Sequence, residues 1–360
     1  MGHMVRLLLT ALDRDKVGEV VLDNLHAVVA CDCTGLSFMT SETAADTLWR
    51  LHIGKHVGTQ DRSFAHLQEG DLLAFKKMPE SLRVDSDRHF VGLLAPMRGC
   101  GVRTFFVLPL VIDGRLTAVL TLGYLQAPAN SREDLVRARQ LADQIAVALF
   151  NASLIEDLAG LNWGTLTALA RAVDAKSSWT AGHSERVTNF ALELGQVMGL
   201  PSNELELLQR GGLLHDIGKI GVPGTLLDKP GNLTDEEYAV VKTHPEKGGR
   251  ILEPIPAYAD VIPLVVQHHE RFDGRGYPYG LAGEAISLGG RIMAVADVYD
   301  ALISDRPYRE GWLLDRVISH IEHEAGHQFD PRVVEAFLWI MDSRGRGVAR
   351  ASEQTLSLAL

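Results

Sequence analysis

The residues of this chain best suited to metal chemistry are histidines and aspartates in its second half. His215 and Asp216 are adjacent. Lys219 follows His215 by four residues and Asp216 by three, which places it on the same helical face. At a buried turn the aspartate can bridge two metals while the histidine caps one of them. The predicted ligand set is His183, His215, Asp216, His244, His268, His269 and Asp297. Imidazole and carboxylate together suit Fe, Mn, Zn or Co better than Ca or Mg, so we expect two divalent transition metals.

Several motifs follow the His-Asp pair in a fixed order. The segment that begins at His268-His269-Glu270 ends in Gly276-Tyr277-Pro278. Three further motifs are Gly218-Lys219-Ile220, Asp305-Arg306-Pro307-Tyr308-Arg309 and Phe329-Asp330-Pro331. From about Leu166 to Phe337 the chain resembles the HD-GYP branch of the HD metal-hydrolase superfamily. The resemblance implies a phosphodiesterase that opens cyclic di-GMP to linear pGpG, with further cleavage to GMP left open.

The resemblance also implies how the ligands divide between the two metals, with Fe or Mn as the expected ions. In HD hydrolases one metal is held by the first His, the His-Asp pair and the final Asp, and the other by the bridging Asp and the remaining His residues. Carried over, the first set is His183, His215, Asp216 and Asp297, and the second is Asp216, His244, His268 and His269. Two such metals lower the pKa of a shared water and neutralise charge on a phosphodiester.

Five residues are expected to act in catalysis or substrate binding. Asp216 and Lys219 are the expected catalytic residues, with Lys219 holding a non-bridging phosphate oxygen. Arg306 and Arg309 match the phosphate-binding positions of the family, and guanidinium groups suit bidentate phosphate contacts. Tyr277 can stack on a purine base, although a loop tyrosine can also serve only for packing.

One departure from the family concerns the segment before the first ligand. Some relatives carry a Glu four residues before the first ligand histidine, where it helps to hold a third metal. Here that position is Trp179, which cannot ligate a metal. We therefore expect two metals and slow or absent cleavage of the linear product. Ser177-Ser178 also replaces an Asp-Pro pair, so the entrance loop is expected to differ in shape.

Composition bounds the rest of the chain. Its 360 residues are 46% hydrophobic and 22% charged, which is typical of about two globular domains. A net charge of −11 argues against nonspecific binding to nucleic acid or to anionic membranes. Three unpaired cysteines and the lack of an apolar run near 20 residues predict a cytoplasmic protein without a membrane segment. The start, Met1-Gly2-His3-Met4, resembles an expression scar.

The first domain is expected at residues 1–130. A helix from Asp15 to Ala30, a strand from Leu36 to Met39 and a hairpin of 104–112 and 115–124 around Asp113-Gly114 are predicted. This layout of helix, mixed sheet, late hairpin and closing helix resembles a GAF sensory domain. A small ligand in its pocket and a plain dimerisation scaffold remain alternatives.

Five residues of this domain could bind a metal or haem, or act in redox chemistry: Cys31, Cys33, Cys100, and His52 with His56 at helical i, i+4 spacing. Cys-x-Cys is not the usual spacing of a zinc knuckle. The alternative is that these are buried thiols and surface histidines.

A connecting helix is predicted at residues 131–165. Ser131 and Asp134 have the form of a capping box. A heptad seam follows, with Ala138, Ile145, Ala152, Ala159, Leu166 and Val173 alternating with Leu141, Ala148, Ile155, Asn162 and Leu169. Such a seam predicts a parallel coiled-coil homodimer with Asn162 fixing the register, and the alternative is a helix packed on its own domain.

An all-α catalytic domain is expected at residues 166–340, followed by a tail at 341–360. Helices are predicted at 203–214, 235–250, 260–269 and 288–303, and together they must present the ligands because one helix offers only two or three. His320, His323 and His327 share a face at helical spacing and are read as a solvated helix.

Three other functions stay open at this stage. The same enzyme could act on cyclic GMP-AMP. A catalytically weak receptor or adaptor for a cyclic dinucleotide is disfavoured by the complete ligand set. A mononucleotide phosphohydrolase is disfavoured by the Gly-Tyr-Pro loop.

Overall fold

The computed structural model of the chain divides into two compact units, Met1–Leu161 and Asn162–Leu360. It describes residues 2–11, 13–41, 43–53, 56–77, 82–85, 89–112, 114–128, 131–177, 180–305 and 310–357. The predicted fold class is confirmed: an α+β first domain, a long helix, and an all-α second domain.

The first unit is built on one antiparallel sheet of six strands in the order β3-β2-β1-β6-β5-β4. The strands are β1 (Cys33–Met39), β2 (Ala44–Ile53), β3 (His56–His66), β4 (Leu82–Val84), β5 (Thr104–Ile112) and β6 (Arg115–Tyr124). The helices are α1 (Gly2–Thr10), α2 (Arg14–Asn24), α3 (Glu69–Lys77) and α4 (Val91–Gly99), with a 3-10 turn at Leu25–Ala27. The hairpin β5–β6 has the predicted bounds, whereas Asp113 of its turn lies outside the described residues.

Two expectations for this unit are wrong. Every described strand pair is antiparallel, so the sheet is not mixed. His52 and His56 do not share a helix, because they lie on β2 and β3, two strands paired antiparallel. A spacing of four residues is compatible both with one helix face and with two strands joined by a short turn. Pairing between β2 and β3 determines that these residues form strands.

The sheet of the first unit separates two apolar cores. Alternate residues of β1 point to opposite faces, so Leu36 and Phe38 pack with α1 and α2 while Cys33 packs with α4. Met4 and Leu8 of α1 are buried in the first core.

Helix α5 spans Ser131–Asp174. The early positions of the predicted seam, namely Ala138, Leu141, Ile145, Ala148 and Ala152, are buried in the core of the first unit. Leu166 and Val173 are buried in the second unit. These residues therefore cannot form a coiled-coil seam, and the alternative of packing within the domain holds for them.

A different face of α5 is apolar and exposed. It consists of Val147, Phe150, Leu154, Leu158 and Leu161, which we call the α5 stripe. By length and composition Arg132–Asp174 is also apolar enough to cross a membrane, with a mean hydropathy of 1.3 in an 18-residue window of which 22% is buried. The first half of α5 contributes to the core of the first unit.

The second unit is helical throughout its described residues, apart from isolated bridges. Its helices are α6 (His183–Val197), α7 (Ser202–Leu214), α8 (Gly224–Leu227), α9 (Asp235–Val241), α10 (His244–Leu252), α11 (Ile262–Gln267), α12 (Leu288–Ile303), α13 (Leu314–His323) and α14 (Pro331–Ser357), with 3-10 turns at Ile217–Gly221, Pro256–Tyr258 and Gly283–Ala285. Helix α12 has the predicted bounds. The tail was expected to begin at residue 341, but α14 continues through this position.

The predicted helix 235–250 is wrong, because the chain breaks it into α9 and α10. Pro245 has no N–H to donate to the carbonyl of Val241, and its ring would clash with that carbonyl in a continuous helix. The break leaves the Val241 carbonyl free for another donor.

Candidate metal centre

The second unit brings all seven predicted ligands to one place. His183 begins α6, His215 and Asp216 follow α7, and His244 begins α10. His268 and His269 follow α11, and Asp297 lies in α12. Most of these side chains are buried, which isolates the cluster from bulk water.

Gly218 allows the 3-10 turn after Asp216 to lie directly on α10. A Cβ at this position would overlap the main-chain carbonyl oxygen of His244. The glycine of the Gly218-Lys219-Ile220 motif thus sets how closely Asp216 approaches His244.

Three of the histidines are oriented in the same way. Each places Nδ1 against the main-chain carbonyl three residues before it, which can only accept a hydrogen bond. The distances are 2.6 Å from His215 to Gly212, 2.9 Å from His244 to Val241 and 2.7 Å from His268 to Val265. The Val241 acceptor is the carbonyl freed by Pro245. Nδ1 therefore carries the proton in each ring, and Nε2 presents a lone pair to the centre of the cluster.

The inward lone pairs have no protein donor to satisfy them. The Nε2 atoms of His244 and His268 lie 3.2 Å apart, and both are acceptors in this tautomer. The buried Nε2 of His215 has no hydrogen-bond partner among the described residues. Unpaired buried acceptors that face each other fit a bound cation, and the donor set fits a divalent metal.

Potential ligand atoms form three groups among the described residues. One contains His183, His215 and Asp297, another contains His244, His268 and His269, and the third, His215, Asp216 and His268, connects them. The two carboxylate oxygens of Asp216 point to different groups, with Oδ2 3.4 Å from His215 Nε2 and Oδ1 3.3 Å from His244 Nε2. This arrangement suits a carboxylate that bridges two ions.

Electrostatics keep most of the cluster in the protonation state that a metal needs. Burial lowers the pKa of His244 and His268 and lowers that of His269 to about 3, so these rings are neutral at pH 7. Burial alone would raise the pKa of Asp216, but Lys219 and the nearby histidines hold it well below its usual range.

His183 differs because two carboxylates contact it. Its Nδ1 lies 2.7 Å from Asp300 and its Nε2 lies 3.3 Å from Asp297. Burial opposes protonation, but these carboxylates outweigh it and raise the pKa of His183 to about 9. Arg186 in turn holds Asp300 through two hydrogen bonds of 2.7 and 3.0 Å. Neither Asp300 nor Arg186 was predicted as a site residue.

Two of the four predicted substrate-binding residues, Lys219 and Tyr277, lie in the described part of the chain. Lys219 donates to Oδ2 of Asp216. Tyr277 stacks on His269 with ring centroids 4.8 Å apart and an interplanar angle of 30°. Arg306, Arg309 and Trp179 lie outside the described residues.

The other candidate histidines and cysteines form no comparable group within the described parts of the chain. His327 lies beyond the end of α13, so it does not share a helical face with His320 and His323 as expected. Cys31, Cys33 and Cys100 are free thiols.

Sequence models of two domain families match the chain: the GAF domain at residues 13–149 and the HD domain at residues 167–333. The chain thus consists of a GAF domain followed by an HD domain. The Gly276-Tyr277-Pro278 loop lies within the region that the HD-domain model matches.

The chain is similar to three named proteins, each over part of both chains. It is 43% identical over 176 residues to the cyclic di-GMP phosphodiesterase response regulator RpfG of Xanthomonas campestris, covering 48% of this chain and 47% of that protein. It is 37% identical over 229 residues to the cyclic di-GMP phosphodiesterase PA4108 of Pseudomonas aeruginosa. That match covers 63% of this chain and 52% of PA4108. It is 39% identical over 171 residues to the 3'3'-cGAMP-specific phosphodiesterase 3 of Vibrio cholerae, covering 48% and 37%. The chain spans about half the length of the first two relatives.

Proposed function

We propose that this chain is a metal-dependent phosphodiesterase that opens cyclic di-GMP to linear pGpG under the control of its GAF domain. The observation that carries the proposal is the pair of acceptor atoms, His244 Nε2 and His268 Nε2, that face each other at 3.2 Å. Such a pair is stable only with a cation between or beside it. The names of the relatives RpfG and PA4108 supply the substrate.

We assign two divalent ions to the site, Fe or Mn. Asp216 with His183, His215 and Asp297 would hold one ion, and Asp216 with His244, His268 and His269 would hold the other. When bound, the ions would activate a water molecule and neutralise charge on the phosphate. Two ions, and not three, follow from the tryptophan at position 179.

The protein's own residues orient the substrate around these ions. Lys219 donates to Asp216 and lies close enough to the ligands to contact a phosphate oxygen of a substrate bound there. Arg306 and Arg309 are assigned to phosphate contacts, and Tyr277 to contact with a base. One face of the Tyr277 ring is already covered by His269, so a base would meet only the remaining surface.

A second candidate is the cyclic GMP-AMP phosphodiesterase activity, favoured by the 39% identity to the relative of that name. Both substrates carry two phosphodiesters in one ring, and they differ in a single base. Rates measured side by side with the two cyclic dinucleotides distinguish the candidates. A catalytically weak receptor would bind either nucleotide without cleaving it.

We further infer a homodimer that forms through the α5 stripe. Val147, Leu154 and Leu161 recur every seven residues and Phe150 follows Val147 by three, as in a coiled-coil seam, whereas Leu158 lies one residue past the next seam position and widens the apolar face. The helix continues into the second unit, so a change in its pairing could carry a signal from the GAF domain. Free thiols at all three cysteines support a cytoplasmic location.

The decisive experiment is anaerobic purification followed by metal quantification and analysis of the products from cyclic di-GMP. We expect two metals per chain, pGpG as product, and no activity after chelation. Asp216→Ala should lose metal and turnover together, whereas Lys219→Ala should keep the metals and slow turnover. Full activity without metal, or three firmly bound ions, would contradict the proposal.

A further inference from the structure

A lysine outside the recognised motifs faces the cavity beside the metal ligands. This cavity has a volume of about 280 Å³, and His268, His269, Tyr238, Lys242 and Tyr277 contribute to its lining. The ammonium of Lys242 lies 4.4 Å from the ring centroid of Tyr238 and 5.4 Å from that of Tyr277. Lys242 therefore lies over two tyrosine rings at the wall of the cavity.

The backbone fixes this lysine in place. Tyr238 and Lys242 are four residues apart, hence on one face at the end of α9, and the amide of Lys242 donates to the carbonyl of Tyr238 at 2.9 Å. The start of α9 is held by a capping box between Thr234 and Glu237. Cation–π contacts with both rings then hold the ammonium towards the cavity.

Tyr277, the second tyrosine beside the Lys242 ammonium, is also held in place by its neighbours. Tyr277 stacks on His269, and the loop that follows it is anchored by the buried carboxylate of Glu270. This carboxylate accepts hydrogen bonds from the amides of Tyr279 and Leu281 at 2.7 and 3.1 Å. Little ordering is therefore needed when a ligand reaches Lys242.

The charge of Lys242 is not neutralised within the protein. Lys219 pairs with Asp216, and Arg271 pairs with Asp273 and Glu324. Among the residues that the structure describes, no carboxylate lies within 4.0 Å of the Lys242 ammonium. It is a cation available to an anionic ligand.

We propose that Lys242 binds the second phosphate of the cyclic dinucleotide, the one that is not cleaved. The proposal rests on the proposed function. A cyclic dinucleotide carries two phosphodiesters. The metal ligands and Lys219 serve the one that is cleaved, and Arg306 and Arg309, assigned above to phosphate contacts, can share the other with Lys242. The other phosphate must lie outside the metal cluster, and the adjoining cavity offers it the ammonium of Lys242. Lys242 is then a residue for substrate affinity and not for the chemical step.

The test uses the full chain loaded with metal and cyclic di-GMP as substrate. Lys242→Met should raise KM about tenfold or more, because one charge-assisted hydrogen bond is lost, and kcat should stay within about threefold. The increase of log KM with log salt concentration should become shallower. Lys242→Arg keeps the charge and should restore KM to within about threefold of the wild type.

The matched control is Lys229→Met. Lys229 lies before α9 and pairs with Glu237 of that helix, but it does not line the cavity. Its loss therefore loosens α9 without removing a charge from the cavity. Its KM should stay within about twofold of the wild type. An equal rise of KM in both variants, an unchanged KM in Lys242→Met, or a fall in kcat alone would overturn the assignment.

Calorimetric titration of the metal-free chain with cyclic di-GMP separates this inference from the proposed function. A wild type that binds the nucleotide in this titration but does not cleave it when loaded with metal refutes the phosphodiesterase, while a loss of affinity in Lys242→Met still supports the phosphate contact. A wild type that neither binds nor cleaves it refutes both.

Discussion

The ammonium of Lys176 donates a hydrogen bond of 2.7 Å to the main-chain carbonyl of Lys219. The same ammonium donates to the carbonyls of Ile220 and Val222 at 2.6 and 2.5 Å. Lys247 donates to the carbonyl between them, that of Gly221, at 2.8 Å. Two lysines thus satisfy four successive carbonyls at the end of the 3-10 turn that presents Lys219 to Asp216.

We expect Lys176→Met to lower kcat by about tenfold with the metal content unchanged, because it displaces Lys219 without touching a ligand. Leaving the carbonyls without a donor should also cost about 1–3 kcal/mol of folding free energy. Steady-state kinetics and metal analysis check this expectation.

The double variant Lys176→Met/Lys219→Met distinguishes positioning from a general loss of stability. If Lys176 acts through Lys219, the double variant should have the kcat of Lys219→Met alone. Additive losses would contradict the positioning role. Lys247→Met removes only one neighbouring bond and should have the smaller effect.

Asp300 is expected to hold the metal ligand His183 in its orientation. Asp300→Ala removes the 2.7 Å contact with His183 Nδ1 and should weaken metal binding by about 10–100-fold. Competition with a chelator measures the affinity. Arg186→Gln leaves the carboxylate in contact with His183, so its effect should be smaller. Equal metal affinity in Asp300→Ala and the wild type would contradict this role.

Gly218 is expected to be intolerant of any side chain. Gly218→Ala should destabilise the second unit by roughly 2–3 kcal/mol, since the new methyl group would overlap the His244 carbonyl. Thermal unfolding of the metal-free chain checks it. Gly224→Ala is the matched control, because nothing lies within 4 Å of a Cβ there and alanine favours the helix. Equal melting temperatures for the two variants would contradict the close approach.

Local patterns accounted for the elements whose signal is contained within one segment. The β5–β6 hairpin and α12 have the predicted bounds because alternation or helical periodicity runs through each of them. Strand β2 mixes apolar and charged residues and β3 is mostly polar, so neither carries a clear alternation, and their pairing with each other and of β2 with β1 defines them. His52 and His56 were placed on a helix for that reason.

Motifs identified the seven ligands, but not the residues that hold them in place. Asp300 contacts His183 across 117 positions in the sequence, and Lys176 reaches the Lys219 carbonyl across 43. Lys242 is recognised as a cavity residue only from its contacts with the rings of Tyr238 and Tyr277. Contacts between distant segments leave no periodic signal in a single sequence. The three-residue step from Asp297 to Asp300 on α12 is the one local signal that could have pointed to Asp300.

The α5 stripe is expected to hold two copies of the chain together. Leu154→Glu places a charge in the centre of the stripe and should convert the dimer to a monomer at micromolar concentration. Light scattering with chromatography measures the mass. Ala159→Glu adds the same charge at an exposed position on the other side of α5 and should leave the dimer intact. A wild-type chain that is monomeric, or that is recovered only on lipid vesicles, would contradict the dimer.

The three thiols are expected to react with iodoacetamide at very different rates, and this bears on the redox role considered for them. Burial raises the pKa of the Cys31 thiol to about 11 and also raises that of Cys33, whereas Cys100 is exposed. Since the thiolate is the nucleophile, only about 0.1% of Cys31 is reactive at pH 8. Mass spectrometry should find Cys100 alkylated first, with Cys31 becoming reactive as the pH approaches 11. In urea all three should react. Rapid alkylation of Cys31 at pH 8 in the folded chain would instead support a redox role for that thiol.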